Sequence, residues 1–318
     1  MIDFIIPHMG RVEMLTATVD SILRQSRQDL IGSIFIISKN SEPLSLPPSE
    51  KVKVHLRPDA NGISAQRNYG VQLSNSPMLA FLDADIELAT NWVDICYNEL
   101  KNEPSRIVVS AHQLCKRASN SVEQIRTTLS NVATNTNVTF LPGRNILSYR
   151  KFHDIVGGFP EHLQTCEDYY YTEKLSQHGE LFYTASTYYY HLGEDLSLSQ
   201  TFKKEIWRSE YNLYSLKGRT IPLREWPSIL FPFWITLCLL LSLFTMAIPS
   251  VPVALPITLL FAAWLPALLY SFRLWSKKPE NVTLPYIVVF YSVYFVARSI
   301  GTVLGIKHVW LRKTKNDN

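Results

Sequence analysis

The feature that most constrains this chain is a run of 47 positions without a charged side chain, Trp226–Phe272. At about 1.5 Å per residue, roughly 20 helical residues cross the hydrocarbon core of a bilayer, so this run is long enough for two crossings. Pro249 marks the turn between predicted spans at about 228–248 and 251–270. A hairpin buried in a water-soluble core would rarely avoid charge over such a length. We therefore expect 226–318 to form a membrane domain.

A third apolar stretch, about 285–306, contains Arg298 and admits two topologies. The stretch either spans the bilayer while Arg298 snorkels to its surface, or forms a re-entrant or interfacial helix. If the N-terminal body is cytoplasmic, only the second topology keeps both neighbouring basic clusters on the cytoplasmic side, as the positive-inside rule favours. These clusters are Arg273, Lys277 and Lys278, and then Lys307, Arg312, Lys313 and Lys315.

The charge of the chain is unevenly distributed. Residues 221–318 hold nine basic and three acidic residues, whereas 1–220 hold 22 basic and 24 acidic ones. The larger part is thus slightly acidic, which argues against a nucleic-acid-binding protein. The four cysteines lie far apart, which excludes a disulfide framework or a cysteine zinc site. The apolar start at Ile2–Ile6 is too short for a signal peptide, so we expect a multi-pass protein of the cell membrane with its large domain on the cytoplasmic side.

The N-terminal body alternates short apolar runs with amphipathic segments, a pattern typical of an α/β domain with a mostly parallel sheet covered on both faces. Ligands of such sheets bind beyond the carboxyl ends of the strands. The predicted strands are 2–6, 34–37, 52–56, 78–82 and 107–109, and the predicted helices are 12–23, 63–73 and 92–100.

Two carboxylates, Asp83 and Asp85, follow the fourth predicted strand. Side chains two positions apart in an extended segment point to the same side, so these carboxylates repel each other unless a cation or a basic group intervenes. Oxygen ligands suit Mg²⁺ or Mn²⁺, which often join one or two carboxylates to substrate phosphates. The triplet alone is equally consistent with a solvated acidic turn.

Other polar motifs stand at strand ends before and after this triplet. Arg67, in a helix that begins after a strand, is suited to hold a nucleotide or a diphosphate. With the triplet these motifs form an ordered set: Phe4-Ile-Ile-Pro7, Ala65-Gln-Arg-Asn68-Tyr-Gly70, Ala80-Phe-Leu-Asp-Ala-Asp85, Gly157-Gly-Phe159, Glu167-Asp168 and His191.

The order and spacing of these six motifs over about residues 1–195 resemble the family 2 glycosyltransferases of GT-A fold. The resemblance implies a Rossmann-like GT-A catalytic domain at 1–195. It also implies the inverting transfer of a sugar from a nucleotide-diphosphate sugar, with Mg²⁺ or Mn²⁺ as cofactor. The expected partners are therefore a nucleotide-sugar donor, a lipid-linked or glycan acceptor and membrane lipids, with no nucleic acid.

Matching the family's motifs gives roles to four residues. Asp83 and Asp85 match the carboxylates for the metal and the nucleotide sugar, and Asp85 is the direct metal ligand. Asp168 matches the general base that takes the proton of the acceptor hydroxyl. His191 matches a histidine that approaches the metal or the diphosphate, although a lone histidine is also compatible with a structural role.

The resemblance also implies a set of donor-binding residues. Pro7 and Arg67 belong to the matched motifs, and Arg208 in a later helix is a further candidate for the departing diphosphate. The family's second strand commonly ends in an acidic pair that contacts the base, but this chain has Ser38 and Lys39 there. Ser38 can hydrogen-bond a base or a ribose, so the donor's nucleotide is left open.

Residues 196–225 connect the body to the membrane domain and carry an amphipathic pattern with several basic residues, among them Arg208. This pattern is compatible with an ordinary surface helix or with an interfacial helix that anionic lipids attract. An interfacial helix would favour a lipid-linked acceptor, such as a polyprenyl phosphate. Loss of the acidic pair leaves one alternative, a catalytically inactive GT-A-like membrane scaffold that binds a partner.

Overall fold

The chain forms two compact units in a computed structural model. One unit holds 1–118 and 130–194, and the other holds 119–129 and 195–318. The short segment 119–129 thus belongs to the second unit, although it interrupts the first in sequence. The described residues are 1–116, 119–131, 133–216, 221 and 223–313.

The helices and strands alternate through the first unit, and helices alone follow it. The strands are β1 (Ile2–His8), β2 (Ile31–Ser38), β3 (Val52–Leu56), β4 (Met78–Leu82), β5 (Ile86–Leu88), β6 (Arg106–Leu114), β7 (Thr136–Val138), β8 (Asn145–Tyr149) and β9 (Glu180–His191). The helices are α1 (Val12–Leu23), α2 (Gly62–Leu73), α3 (Trp92–Asn102), α4 (Ser121–Ser130), α5 (Arg150–Val156), α6 (Glu167–Leu175), α7 (Leu198–Glu210), α8 (Asn212–Ser215), α9 (Trp226–Met246), α10 (Ala254–Trp275) and α11 (Leu284–Lys313).

The described strands form one sheet in the order β3-β2-β1-β4-β8-β6-β9-β5, with β7 paired to β9. The predicted α/β class is confirmed, and the sheet is mixed. Strands β1 to β4 pair in parallel, and so do β6 and β9. Each antiparallel pairing involves β5, β7 or β8. These three strands are absent from the sequence prediction because their short runs carry no strong periodic pattern.

Alternate residues of the central strands enter two separate apolar clusters. Phe4 belongs to the cluster that also contains residues of α1 and α3. Its neighbour Ile5 belongs to the cluster that contains residues of α2, α5 and α6. Because side chains alternate along a strand, the sheet is covered by helices on both faces.

The sheet register brings several strand ends to one edge. The last residues of β1 and β2, His8 and Ser38, are paired in parallel. Leu82, at the end of β4, pairs with Asn145 at the beginning of the antiparallel strand β8. The segments that follow β4 and precede β8 therefore meet, and they contain the acidic triplet and Gly143.

The second unit contains α7 to α11 and most of α4. Within the described part of the chain, three helices are long and apolar enough to cross a membrane: Trp226–Met246, Ala254–Trp275 and Leu284–Ile306. The predicted apolar C-terminal tail is confirmed in its length and composition. The third stretch forms one continuous helix that contains Arg298.

Candidate active site

Arg67, on α2, lies at the centre of the candidate site with a side chain that is 1% exposed. Its Nη2 donates to Asp83 Oδ1 at 2.8 Å, and its Nη1 donates to Glu167 Oε1 at 3.0 Å. One buried cation thus joins a carboxylate that follows β4 to a carboxylate in the first turn of α6. Bonds between charged groups in such a buried setting are strong and fix the geometry of both partners.

Asp168 joins this cluster through the backbone of Gly143. The Gly143 N–H donates to Asp168 Oδ2 at 3.2 Å, and Arg67 Nη2 donates to Gly143 O at 3.3 Å. A Cβ at Gly143 would lie 3.1 Å from both Arg67 Nη1 and Asp168 Cβ, so glycine permits this close approach. The other oxygen of Asp168, Oδ1, accepts from the N–H of Tyr169 at 2.8 Å. The structure therefore brings Asp83 and Asp168 together around Arg67.

The Gly157-Gly-Phe159 motif supports Arg67 from the other side. Both glycines adopt positive φ, 79° and 77°, which ends α5 and reverses the chain. The Phe159 N–H then donates to Asn68 Oδ1, and Asn68 Nδ2 donates to the Phe159 carbonyl, each at 2.9 Å. This places the Phe159 ring 4.9 Å from the Arg67 guanidinium and against Tyr171. The motif thus holds an aromatic face under the central cation.

The carboxyl group of Glu167 has a raised pKa in this cluster. Burial raises the pKa of Glu167 to about 7, the nearby Asp168 adds to the rise, and Arg67 opposes it. When all three are ionised, Asp83, Glu167 and Asp168 together exceed the charge of Arg67 by two. A bound cation would relieve this excess of negative charge.

A second cluster forms around Asp85. Its Oδ2 lies 3.5 Å from His191 Nε2 and 3.8 Å from Arg11 Nη2. His191 is the last residue of β9, and its Nδ1 lies 3.1 Å from Glu194 Oε2. Burial alone would lower the pKa of His191, but its hydrogen bonds to the carboxylates of Asp85 and Glu194 outweigh burial and raise it. The two sequence-predicted residues, Asp85 and His191, are therefore neighbours.

Arg144 connects the two clusters, although none of the sequence motifs above gives it a role. Its carbonyl accepts from the Asp83 N–H at 3.0 Å, and its Nη1 lies 3.4 Å from His191 Nδ1. The same nitrogen donates to Gln113 Oε1 at 3.2 Å. In the sequence, only its position directly after Gly143 could have indicated a role for Arg144. Its contacts Gln113 and Glu194 belong to no recognisable motif.

The chemistry of the Asp85 cluster fits a divalent cation that is shared with a substrate. Among the described residues, no group of three or more His, Cys, Asp or Glu side chains could hold a metal ion unaided. Asp85 and His191 nevertheless offer one oxygen and one nitrogen donor that face each other. Mg²⁺ and Mn²⁺ commonly take their remaining ligands from substrate phosphates and water, so a partial protein set suffices.

The predicted donor-binding residues Pro7 and Ser38 lie on neighbouring parallel strands, and both are buried. The Ser38 hydroxyl lies 3.0 Å from His8 Nδ1 and accepts from the Asn40 N–H at 3.1 Å. Burial lowers the pKa of His8, which favours the neutral imidazole. Ser38 thus shapes the end of β2 through this network, and its contact with a nucleotide stays a prediction.

Arg208, the remaining predicted donor-binding residue, belongs to the second unit. Its Nη1 donates to Glu205 Oε1 at 2.7 Å, one turn earlier on α7. Its role toward a diphosphate also stays a prediction.

The N-terminal half of the chain matches a known protein family. A family model described as glycosyl transferase family 2 matches residues 3–159, which include Arg67, Asp83 and Asp85. The chain is 26% identical to polypeptide N-acetylgalactosaminyltransferase 4 of Caenorhabditis elegans over 98 residues. The aligned stretch covers 30% of this chain and 17% of that protein. It is 24% identical to a glucosyl-dolichyl phosphate glucuronosyltransferase of Haloferax volcanii over 106 residues. That aligned stretch covers 32% of this chain and 34% of that protein. The chain thus spans about a third or less of the length of each of these two relatives.

The fold has a counterpart among solved structures. A mannosyltransferase from Pyrobaculum calidifontis, solved in complex with GDP-Man and Mn²⁺, superposes with a TM-score of 0.60. The alignment covers 95% of this chain and 86% of that one, at 12% sequence identity. At this identity the likeness bears on the fold, and it confirms the predicted GT-A type. Residues 3–159, nearly half of the chain, match the model of glycosyl transferase family 2, and this part of the chain belongs to that family.

Proposed function

We propose that this glycosyltransferase moves a sugar from a nucleotide-diphosphate sugar to a lipid-linked acceptor, such as a polyprenyl phosphate or a glycan on one, with inversion at the anomeric carbon. The observation that carries the proposal is the meeting of Asp83 and Asp168 around the buried Arg67. Such a cluster offers separate groups for holding a donor and for taking a proton within one site.

Asp168 is the general base in this proposal. Its two oxygens accept backbone N–H groups of Gly143 and Tyr169, which fix the orientation of the carboxylate. In a single displacement the hydroxyl oxygen of a glycan acceptor attacks the anomeric carbon, its proton passes to Asp168, and the bond to the nucleotide diphosphate breaks. The ionised oxygen of a polyprenyl phosphate would attack in the same way without giving up a proton. A carboxylate within hydrogen-bond reach of the attacking hydroxyl contributes about 10²- to 10⁴-fold to the rate.

Asp85 and His191 would hold Mg²⁺ or Mn²⁺, which stabilises the negative charge that grows on the departing diphosphate. Asp83 is already bonded to Arg67, so it is better suited to orient the donor than to supply a free ligand. Pro7, Ser38 and Arg67 are the proposed donor contacts of the first unit.

The acceptor and the location rest on the apolar helices of the second unit. Three helices able to cross a membrane support a multi-pass protein of the cell membrane. The basic residues after the second of these helices support a cytoplasmic catalytic unit by the positive-inside rule. The name of the Haloferax volcanii relative includes a dolichyl phosphate, which supports a lipid-linked acceptor here.

The proposal is tested on the purified full chain with a panel of nucleotide sugars, with and without Mn²⁺. The true donor should raise the apparent Tm in a concentration-dependent manner. Asp85→Ala should abolish metal-dependent donor hydrolysis. Asp168→Asn should retain donor binding but lose about 10²- to 10⁴-fold in the transfer rate.

Asp29→Asn is the matched control, because it removes an exposed carboxylate that pairs only locally with Arg27 among its described contacts. It should leave donor binding and transfer unchanged. If the chain binds a nucleotide sugar but shows no turnover that Asp85→Ala or Asp168→Asn removes, the inactive scaffold is the correct description.

A further inference from the structure

The segment that follows β9 folds around the side chain of Asp85. The Leu192 N–H donates to the Asp85 carbonyl at 2.8 Å, which extends the pairing of β5 with β9 by one residue. Gly193 then lies against the carboxylate, and a Cβ at Gly193 would collide with Asp85 Oδ2. Gly193 has no positive φ, so its backbone conformation is one that alanine also adopts. What the glycine provides at this position is therefore room for the Asp85 carboxylate.

Glu194, the next residue of this segment, contacts the other side of His191. His191 Nδ1 lies 3.1 Å from Glu194 Oε2, whereas its Nε2 lies 3.5 Å from Asp85 Oδ2. Each ring nitrogen thus faces one carboxylate, and the contact with Glu194 is the shorter of the two. Glu194 is buried, and its Oε2 accepts from Gln113 Nε2 at 3.3 Å and lies 3.9 Å from Arg144 Nη1. The carboxylate that faces Nδ1 is therefore itself held in a fixed position.

This arrangement is typical of a histidine that binds a metal ion. Such histidines commonly donate the N–H of one ring nitrogen to a carboxylate, which turns the lone pair of the other nitrogen toward the metal. The carboxylate fixes the orientation of the ring and makes the histidine a stronger ligand. Glu194 has this position relative to His191, and the opposite nitrogen is the one that faces Asp85.

We propose that Gly193 and Glu194 are positioning residues of the cation site. Glu194 directs Nε2 of His191 toward the ion. Gly193 leaves the space in which the Asp85 carboxylate reaches the same ion. This inference rests on the function proposed above, which assigns Asp85 and His191 to Mg²⁺ or Mn²⁺. It adds that the segment His191–Glu194 contains one ligand and two residues that set the geometry of the site.

The role of Glu194 predicts a graded loss of metal affinity. Glu194→Ala should weaken Mn²⁺ binding about 10- to 100-fold, the usual effect of removing such a partner. Glu194→Gln should lose less, because its amide oxygen still accepts from the Nδ1–H of His191. Glu87→Gln is the matched control. It removes a carboxyl group from β5 that pairs with Lys116 Nζ at 2.7 Å, and it should bind Mn²⁺ like the wild type.

The role of Gly193 predicts a loss that depends on Asp85. Gly193→Ala should weaken Mn²⁺ binding because the new methyl group displaces the Asp85 carboxylate. The displaced atom is the end of a side chain that can rotate away, so the variant should fold with a Tm close to that of the wild type. In an Asp85→Ala background, Gly193→Ala should cause no further loss, since the carboxylate that it displaces is gone.

The test is a titration of the purified full chain in dodecyl maltoside with Mn²⁺ alone, followed by electron paramagnetic resonance. Binding removes the sharp spectrum of the free ion, which gives the affinity. Pulsed measurements on the bound ion then detect the magnetic coupling to a directly coordinated nitrogen nucleus. This coupling should be present in the wild type and in Gly193→Ala, reduced in Glu194→Ala and absent in His191→Ala.

Three results would each overturn the proposal: wild-type Mn²⁺ affinity in Gly193→Ala, unchanged nitrogen coupling in Glu194→Ala, or equal losses of affinity in Glu194→Ala and Glu194→Gln. If Glu194→Ala does not fold, the comparison of Gly193→Ala in the wild-type and Asp85→Ala backgrounds decides alone. Donor hydrolysis in the same samples reports on the proposed function. Its absence from a wild type that binds Mn²⁺ through a nitrogen ligand would refute that function and leave the positioning roles intact.

Discussion

At the scale of single residues, Arg67 organises the site because it is a buried cation with three carboxylates around it. Its contacts to Asp83 and Glu167 are direct, and Asp168 is linked through the backbone of Gly143. A guanidinium cannot lose its proton at any ordinary pH, so the pH response of this cluster belongs to the carboxylates. Glu167, whose pKa is raised by burial, is where a response is expected.

Glu167 should make the metal-free protein less stable as the pH rises from about 4.5 to about 7. Burial raises its pKa from 4.5 to about 7 in the folded chain. In that window the folded state holds a proton that the unfolded chain has released, so the free energy of unfolding falls with increasing pH. This contribution of Glu167 to the free energy of unfolding is complete below a pH of about 4.5 and is lost above a pH of about 7. Thermal denaturation in detergent at a series of pH values measures this slope.

Glu167→Gln should remove that slope, because a glutamine does not titrate. Glu173→Gln takes a carboxyl group from the same helix but not from the Arg67 contacts, and it should keep the wild-type profile. A slope that survives Glu167→Gln would assign the titration to another group.

At the scale of elements, the turn after α5 determines where the aromatic support of Arg67 lies. Gly157 and Gly158 both have positive φ, but their surroundings differ. A Cβ at Gly157 would meet nothing within 4 Å, whereas a Cβ at Gly158 would lie 2.8 Å from Asn68 Oδ1. The Asn68 amide also holds the Phe159 backbone, so a change at Gly158 is transmitted to the ring under Arg67.

Gly157→Ala should therefore cost only the backbone strain, about 1 kcal/mol of stability. Gly158→Ala should cost more, about 2–3 kcal/mol, because strain and the contact with Asn68 add together. It should also weaken donor binding, since Arg67 loses its support. Thermal unfolding of the two variants side by side provides the comparison; equal losses would mean that the Asn68 contact is unimportant.

At the scale of the whole molecule, the chain combines a family 2 glycosyltransferase unit with a helical unit that is apolar enough to enter a membrane. Both units have their own buried apolar clusters. The basic excess lies in 221–318, next to the apolar helices. This asymmetry predicts the sidedness of the protein in a bilayer, since basic loops are retained on the cytoplasmic side.

The turn between α10 and α11 should face the cytoplasm, and the turn between α9 and α10 should face the other side. In a chain whose own cysteines are replaced, Lys277→Cys should react with an impermeant thiol reagent only in inside-out vesicles. Ser250→Cys is the matched control and should react in intact cells. Both positions are exposed. Labelling of Lys277→Cys in intact cells would reverse the predicted orientation.

The sequence by itself determined the apolar tail, the parallel strands from β1 to β4 and the order of the motifs that carry Arg67, Asp83, Asp85, Asp168 and His191. The charge-free run and the buried periodic runs depend only on neighbouring residues, and the short polar motifs are recognised by their order and spacing along the chain.

Only the tertiary structure decided which side chains meet. The strands β5, β7 and β8, the contacts of Arg144 and the approach of Arg126 and Arg298 to Glu205 depend on pairings between distant segments. A buried charge is stable only when oppositely charged partners from other parts of the fold lie next to it. The spacing of residues along the chain does not reveal these contacts. For the same reason, the motif that supplied Asp83 did not reveal that Arg67 already holds it.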